Sequence, residues 1–131
     1  MDEKERYHKG LETRREVLGK EHVDRAQANL SEFNGPFQEL ITRYAWGEIW
    51  ERAGLTRRER SLITLAMLVA LNREAEFRMH VRAALSNGVT TEEIREVLIH
   101  AGIYCGLPAA NAAIQAAEQV IKETKARSNS S

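Results

Sequence analysis

The chain has 131 residues, 43% of them hydrophobic, and its 19 Lys and Arg balance its 19 Asp and Glu. That length supports one core and is short for a two-lobed enzyme, so an enzymatic function calls for a neighbouring subunit. The interspersed charges offer no basic stripe to nucleic acid or an anionic membrane, the longest apolar run is about half of the roughly 20 residues a bilayer span needs, and a single cysteine, Cys105, excludes an intramolecular disulfide or a Cys-x-x-Cys site.

The N-terminus carries no signal-peptide h-region, which predicts a soluble, cytoplasmic protein. Residues 2–18 are rich in Glu, Lys and Arg, with Tyr7, Leu11, Val17 and Leu18 as the apolar minority. They predict a weakly amphipathic helix that needs a partner and stops at Gly19. Residues 20–35 have loop composition, with room for a short helix in the middle. Pro36 suits the first turn of a helix running through Phe37, Leu40, Ile41 and Tyr44 to about Trp50, with Trp46 and Trp50 on one face.

Gly54 closes that element, and Thr56 through Glu59 has the capping-box pattern that opens the next. From Leu62 to Leu71 every position but Thr64 is apolar, which predicts a helix buried on nearly all sides. Asn72 is the expected N-cap of a helix that Asn87-Gly88 ends. At 100° per residue Arg73, Glu76 and His80 share a face of it with Phe77, Ala83, Ala84 and Asn87, while Arg78 and Arg82 point the other way. A charged trio thus stands where apolar residues usually sit, and the expectation is that it faces a closed pocket.

Thr90-Thr91-Glu92-Glu93 is a second capping signal. It opens a helix whose expected buried face is Ile94, Val97, Leu98, Ala101 and Cys105, making Cys105 an inert buried thiol and turning His100 to the surface or an interface. Gly106-Leu107-Pro108 is a stop followed by a restart. The last helix, Ala109 to about Ala126, is lined by Ala109, Ala113, Ala116 and Ala117, which let another helix approach closely. No strand pattern is present, so the class is all-α, a single domain over residues 1–127, and Ser128 to Ser131 are expected to be disordered.

By pattern alone, Glu76 and His80 one turn apart form either a structural hydrogen bond or an acid–base pair, and Glu76 could instead compensate Arg73. As a metal half-site they lack a third ligand at a recognisable spacing, His22 and His100 being outside candidates, so no metal is expected.

Several stretches in order resemble the carboxymuconolactone decarboxylase family. They are Arg15 to Asp24, Tyr44 to Trp50, Arg60 to Thr64, Asn72 to Glu76 continuing through His80, Asn87 to Thr90, and Tyr104 to Ala110. The resemblance covers almost the whole chain except the tail, and the combination is far more specific than any one motif. It implies an alkylhydroperoxidase D-like fold of about six helices, a homohexamer and no cofactor. The implied activity is decarboxylation of 4-carboxymuconolactone to the 3-oxoadipate enol-lactone in protocatechuate (β-ketoadipate) breakdown. The family's peroxidase branch carries a Cys-x-x-Cys and a histidine. The histidine falls on His80, but the two cysteine positions fall on Arg73 and Glu76, so thiol chemistry loses its nucleophile.

The implied substrate conjugates its carboxylate-bearing ring carbon to the lactone carbonyl, so electrons released with CO2 have a sink inside the substrate and no cofactor is called for. The protein must hold two carboxylates, stabilise an oxyanion and deliver a proton. Arg73 and Arg60 suit the carboxylates, since a guanidinium fork meets a carboxylate with two hydrogen bonds. His80 suits the proton transfer, with Glu76 orienting and charging it. Ser61 is the candidate hydroxyl donor. Trp46 or Trp50 serves as a pocket wall, or both are core or subunit contacts. Two other readings stand beside this one: a thiol-dependent antioxidant enzyme using Cys105 with a second thiol, and a non-catalytic helical assembly that binds a small ligand.

Overall fold

Among the described residues seven α-helices and one π-helix make up the regular structure, without a strand, in agreement with the all-α class. The structure, a computed structural model, describes the backbone of residues 1–130 and the side chains of residues 1–128. The chain divides into two compact units, Met1–Arg57 and Arg58–Ser131.

In the first unit, α1 (Glu3–Leu18) starts at Asp2, whose carboxylate accepts from the Glu5 N–H at 2.8 Å, and stops at Gly19 with φ 97°. Helix α2 (Lys20–Ala28) follows at once, so the expected loop shrinks to residues 29–34. Its polar composition is helical because the charges pair along one side, Lys20 with Asp24 at 2.7 Å and Arg25 with Glu21 at 3.5 Å, while Val23 is fully buried. Helix α3 (Gly35–Leu40) has Pro36 in its first turn and continues into a π-helix, Ile41–Ile49, closed by the Trp50 N–H donating to the Ala45 carbonyl five residues back at 2.9 Å.

Two glycines bring α1 and the π-helix together. A Cβ on Gly10 would overlap the Thr42 carbonyl, and one on Gly47 would stand 2.5 Å from the Arg6 carbonyl oxygen. Beside this crossing Glu51 joins Lys9 and Arg57, each at 3.1 Å, and Arg57 also reaches Glu16 at 2.5 Å. Arg14 is buried and donates to Gln38 Oε1 at 3.2 Å, and that burial holds its pKa below the usual arginine value.

The second unit packs α4 (Arg57–Ala70), α5 (Glu74–Ser86), α6 (Thr91–Cys105) and α7 (Leu107–Ser130) around Leu65, Phe77, Val81, Ile94, Leu98 and Val120. The buried alanines Ala113, Ala116 and Ala117 let α7 lie close, as their spacing predicts. Helix α6 opens with the predicted capping box, Thr90 Oγ1 accepting from the Glu93 N–H at 3.1 Å and Glu93 Oε1 accepting from the Thr90 N–H at 2.9 Å.

Three expectations change here. Helix α4 buries Ser61, Leu65 and Val69 but leaves Ile63 and Met67 39 and 58% exposed, with Leu71 just past its end 64% exposed, because its neighbours cover one side of an all-round apolar sequence. Asn72 closes α4 instead of opening α5: it is left-handed at φ 57°, its N–H reaches the Val69 carbonyl and the Arg73 N–H reaches the Leu68 carbonyl, the hydrogen-bond pair of a Schellman motif. Cys105 is exposed, in the last turn of α6 where it lines an open groove beside α4, just before Gly106 with φ 104°. Helix α7 continues past the expected end at Ala126, with no Gly or Pro to stop it, and Ser131 lies outside the described residues.

Candidate active site

Helix α5 buries Phe77, His80, Val81, Ala83 and Ala84, so the predicted inward face is correct at its centre. His80 is 9% exposed. Its two charged companions are not inside: Arg73 and Glu76 are both exposed. For Arg73 the reason is that it precedes the helix, with φ −105° and ψ 80°, so helical periodicity does not govern its direction. Glu76 lies in the first turn, at the margin of the buried stripe, where water reaches the carboxylate. Of the outward pair, Arg78 meets Glu74 at 3.7 Å and donates to Gln119 at 2.9 Å on α7, while Arg82 is exposed.

Ser61 is buried at 2% exposure in the first turns of α4, and Arg60 beside it is half-buried. Trp46 belongs to the first unit, 5% exposed, and stacks on the half-buried Trp50 with centroids 5.0 Å apart and planes at 26°. The four-residue spacing foresaw that pairing. His22 is half-buried on α2.

The closed pocket expected beside the trio takes another form. A cavity of about 30 Å³ lies where α5 begins, lined by Arg73, Asn72, Glu74, Phe77 and alanines of α7, with neither His80 nor Glu76 in its wall. Such a volume suits about one water molecule. An open groove of about 580 Å³ runs between α4 and α6 instead, past Leu62, Ile63, Val97, His100, Tyr104 and Cys105. The periodicity that sent His100 away from the core was right, but it could not show that this outer face is concave. Among the described residues no three His, Cys, Asp or Glu side chains converge as a metal-holding group, and no helix is long and apolar enough to cross a membrane.

The second unit is all-helical and carries a buried histidine, His80, on α5 and a buried serine, Ser61, on α4. Residues 35–119 match the family model for the carboxymuconolactone decarboxylase family, and the chain belongs to that family. It is 54% identical over 123 residues to 4-carboxymuconolactone decarboxylase of Acinetobacter baylyi, covering 94% of this chain and 92% of the relative. It is 42% identical over 117 residues to nitrosuccinic acid decarboxylase npaB of Metarhizium robertsii, covering 89% and 82%. A 48-residue 4-carboxymuconolactone decarboxylase sequence of Pseudomonas putida matches over its whole length at 58% identity, covering 37% of this chain. The chain is thus a carboxy-lyase.

Proposed function

We propose that this enzyme decarboxylates 4-carboxymuconolactone to the 3-oxoadipate enol-lactone in protocatechuate breakdown, in the cytoplasm, as a homohexamer of one domain spanning residues 1–127. The likeness to the Acinetobacter enzyme along nearly the whole chain carries the reading. The buried histidine supports it chemically.

In this mechanism the C–C bond to the departing carboxylate breaks, and its electron pair moves through the conjugated double bond onto the lactone carbonyl oxygen. His80 then donates a proton to the carbon at the far end of the conjugated system. Glu76 orients the imidazole and favours its charged form. Arg73 and Arg60 hold the two carboxylates, Ser61 donates to the developing oxyanion, and Trp46 walls the pocket. The substrate's conjugation supplies the electron sink, so no cofactor enters.

Arg73 and Glu76 lie open in the single chain. The mechanism therefore requires another subunit to cover them and exclude water, and the stretch around His22 is proposed to approach a neighbouring subunit's His80. Purified enzyme mixed with 4-carboxymuconolactone should release CO2 as the conjugated-lactone absorbance falls. Absence of both signals from folded protein would refute the reading, and faster turnover of nitrosuccinate would move the substrate assignment.

A further inference from the structure

Arg14 on α1 is 7% exposed, yet no carboxylate answers its charge among the described residues. Its guanidinium makes one hydrogen bond there, from Nη1 to the neutral Gln38 side-chain oxygen of α3 at 3.2 Å, and Nε lies buried without an acceptor. A turn away in either direction along its own helix stand Gly10, Leu11, Val17 and Leu18, none of them acidic. The titratable side chain close enough to act on it is Tyr7, a phenol whose oxygen accepts from Gln27 on α2 at 3.1 Å. Thr13, beside it in the chain, also leaves a buried Oγ1 with no hydrogen-bond partner.

The other arginines of the first unit show the reverse arrangement. Arg6, Arg15, Arg25, Arg43 and Arg57 are all more exposed, and each pairs with a Glu or Asp. Ion pairs at the surface add little, whereas a guanidinium taken out of water keeps its proton and needs a counter-charge. The residue most in need of an anion is the one left without it. Its contact to Gln38, at 3.2 Å, is long beside the roughly 2.7–2.9 Å of a charge-assisted bond, so the amide is a poor substitute. The Nε and Nη2 edge, which makes no hydrogen bond among the described residues, is the side that meets both oxygens of a carboxylate.

We propose that Arg14 binds a carboxylate of a small-molecule ligand, the counter-ion that its own chain does not supply. The proposed reaction offers one source, since its lactone carries two carboxylates and the arginines assigned to them, Arg73 and Arg60, are exposed and half-buried. A separate organic acid is the other. The inference rests on the proposed function for the first source only.

Thermal melts of the full chain in sodium succinate and in sodium chloride of equal ionic strength test the site, with wild type, Arg14→Met, Arg14→Lys and a surface control, Arg25→Met. Succinate should raise the melting temperature of wild type and control beyond the chloride effect, since a ligand that binds only the folded state stabilises it. Arg14→Met should show no such excess, and in chloride it should melt no lower than wild type, because an unpaired buried charge has gone. Arg14→Lys keeps the charge without the fork and should need several-fold more succinate for the same gain. No excess in wild type, an equal excess in Arg14→Met, or an Arg14→Met that melts well below wild type in chloride overturns the assignment. Steady-state kinetics on the lactone separate the two sources. Where the substrate's carboxylate is the ligand, KM rises about tenfold or more in Arg14→Met, the scale of a lost charge-assisted hydrogen bond, and succinate competes with the lactone in wild type. An unchanged KM beside a positive melt assigns the site to a separate acid. A wild type that turns over no lactone refutes the proposed reaction, while the melts still judge Arg14.

Discussion

Gly10 lies against the backbone of Thr42 so closely that a single added carbon would overlap the Thr42 carbonyl. Neither partner can swing aside, since one is an α-helix and the other a π-helix turn. Gly10→Ala should therefore cost roughly 1–3 kcal/mol or more, as overpacking does. Gly54, with nothing within 4 Å of its would-be Cβ and no left-handed backbone, is the matched control. Denaturant midpoints of Gly10→Ala and Gly54→Ala compare the two, and equal midpoints would show that the crossing has slack.

Glu51 ties the first unit's acid stability to pH. Burial raises its pKa, but hydrogen bonds and charge from Lys9 and Arg57 outweigh that and hold the carboxyl below its ordinary value of 4.5. A depressed carboxylate pKa contributes stability that is fully present above the unfolded value and is lost as pH falls through the folded one. The contribution should be present above about 4.5 and vanish below it. Glu51→Gln should flatten the decline of melting temperature in that acid window and lower it at neutral pH. An unchanged slope would place the acid sensitivity elsewhere.

The Thr90 cap is a separable contribution to the second unit. Thr90→Ala removes the acceptor for the Glu93 N–H and should cost about 1 kcal/mol, within the 0.5–2 usual for such caps, whereas Thr90→Ser should be close to neutral. Thermal melts of the two variants decide it. Equal losses would mean the hydroxyl is not what holds the helix start.

Since the proposed substrate carries its own electron sink, exhaustive chelation should leave turnover unchanged. Activity lost to a chelator and restored by one divalent metal would revive a half-site at Glu76 and His80.

How much of this was legible in the sequence depends on whether the signal was local. Stops and starts at Gly19, Pro36, Thr90 and Gly106 are written in single residues, and they hold. The apolar centre of α5 was legible too, because Phe77, Val81 and Ala84 recur at helical spacing over a real helix. What failed needed knowledge of neighbours. Arg73 was projected onto a helix it only precedes, Asn72 fits a left-handed C-terminal position as well as an N-cap, and the all-apolar stretch of α4 cannot say which side the same chain covers. Of the candidate site, the inward face of His80 was readable from periodicity, whereas the burial of Ser61 was not, since periodicity alone could not aim it. The placement of Glu76 was not, since a first-turn residue at the margin of a stripe is settled by what packs beside it.

His80 is where the proposed mechanism meets its sharpest test. It sits 9% exposed on the apolar face of α5, a position where a histidine either transfers protons or merely fills space. General acid catalysis contributes about 10²- to 10⁴-fold, so His80→Gln, which retains hydrogen bonding but cannot titrate in this range, should lower kcat by that factor. A histidine with a structural role only would behave in the opposite way. Its replacement would cost roughly 1–3 kcal/mol through an unsatisfied neighbour and leave the turnover of the folded fraction nearly intact. Measuring kcat and melting temperature on one preparation separates the two, because a proton donor moves the first and a packing residue the second. A folded, less stable His80→Gln enzyme with full kcat would take the proton transfer away from His80.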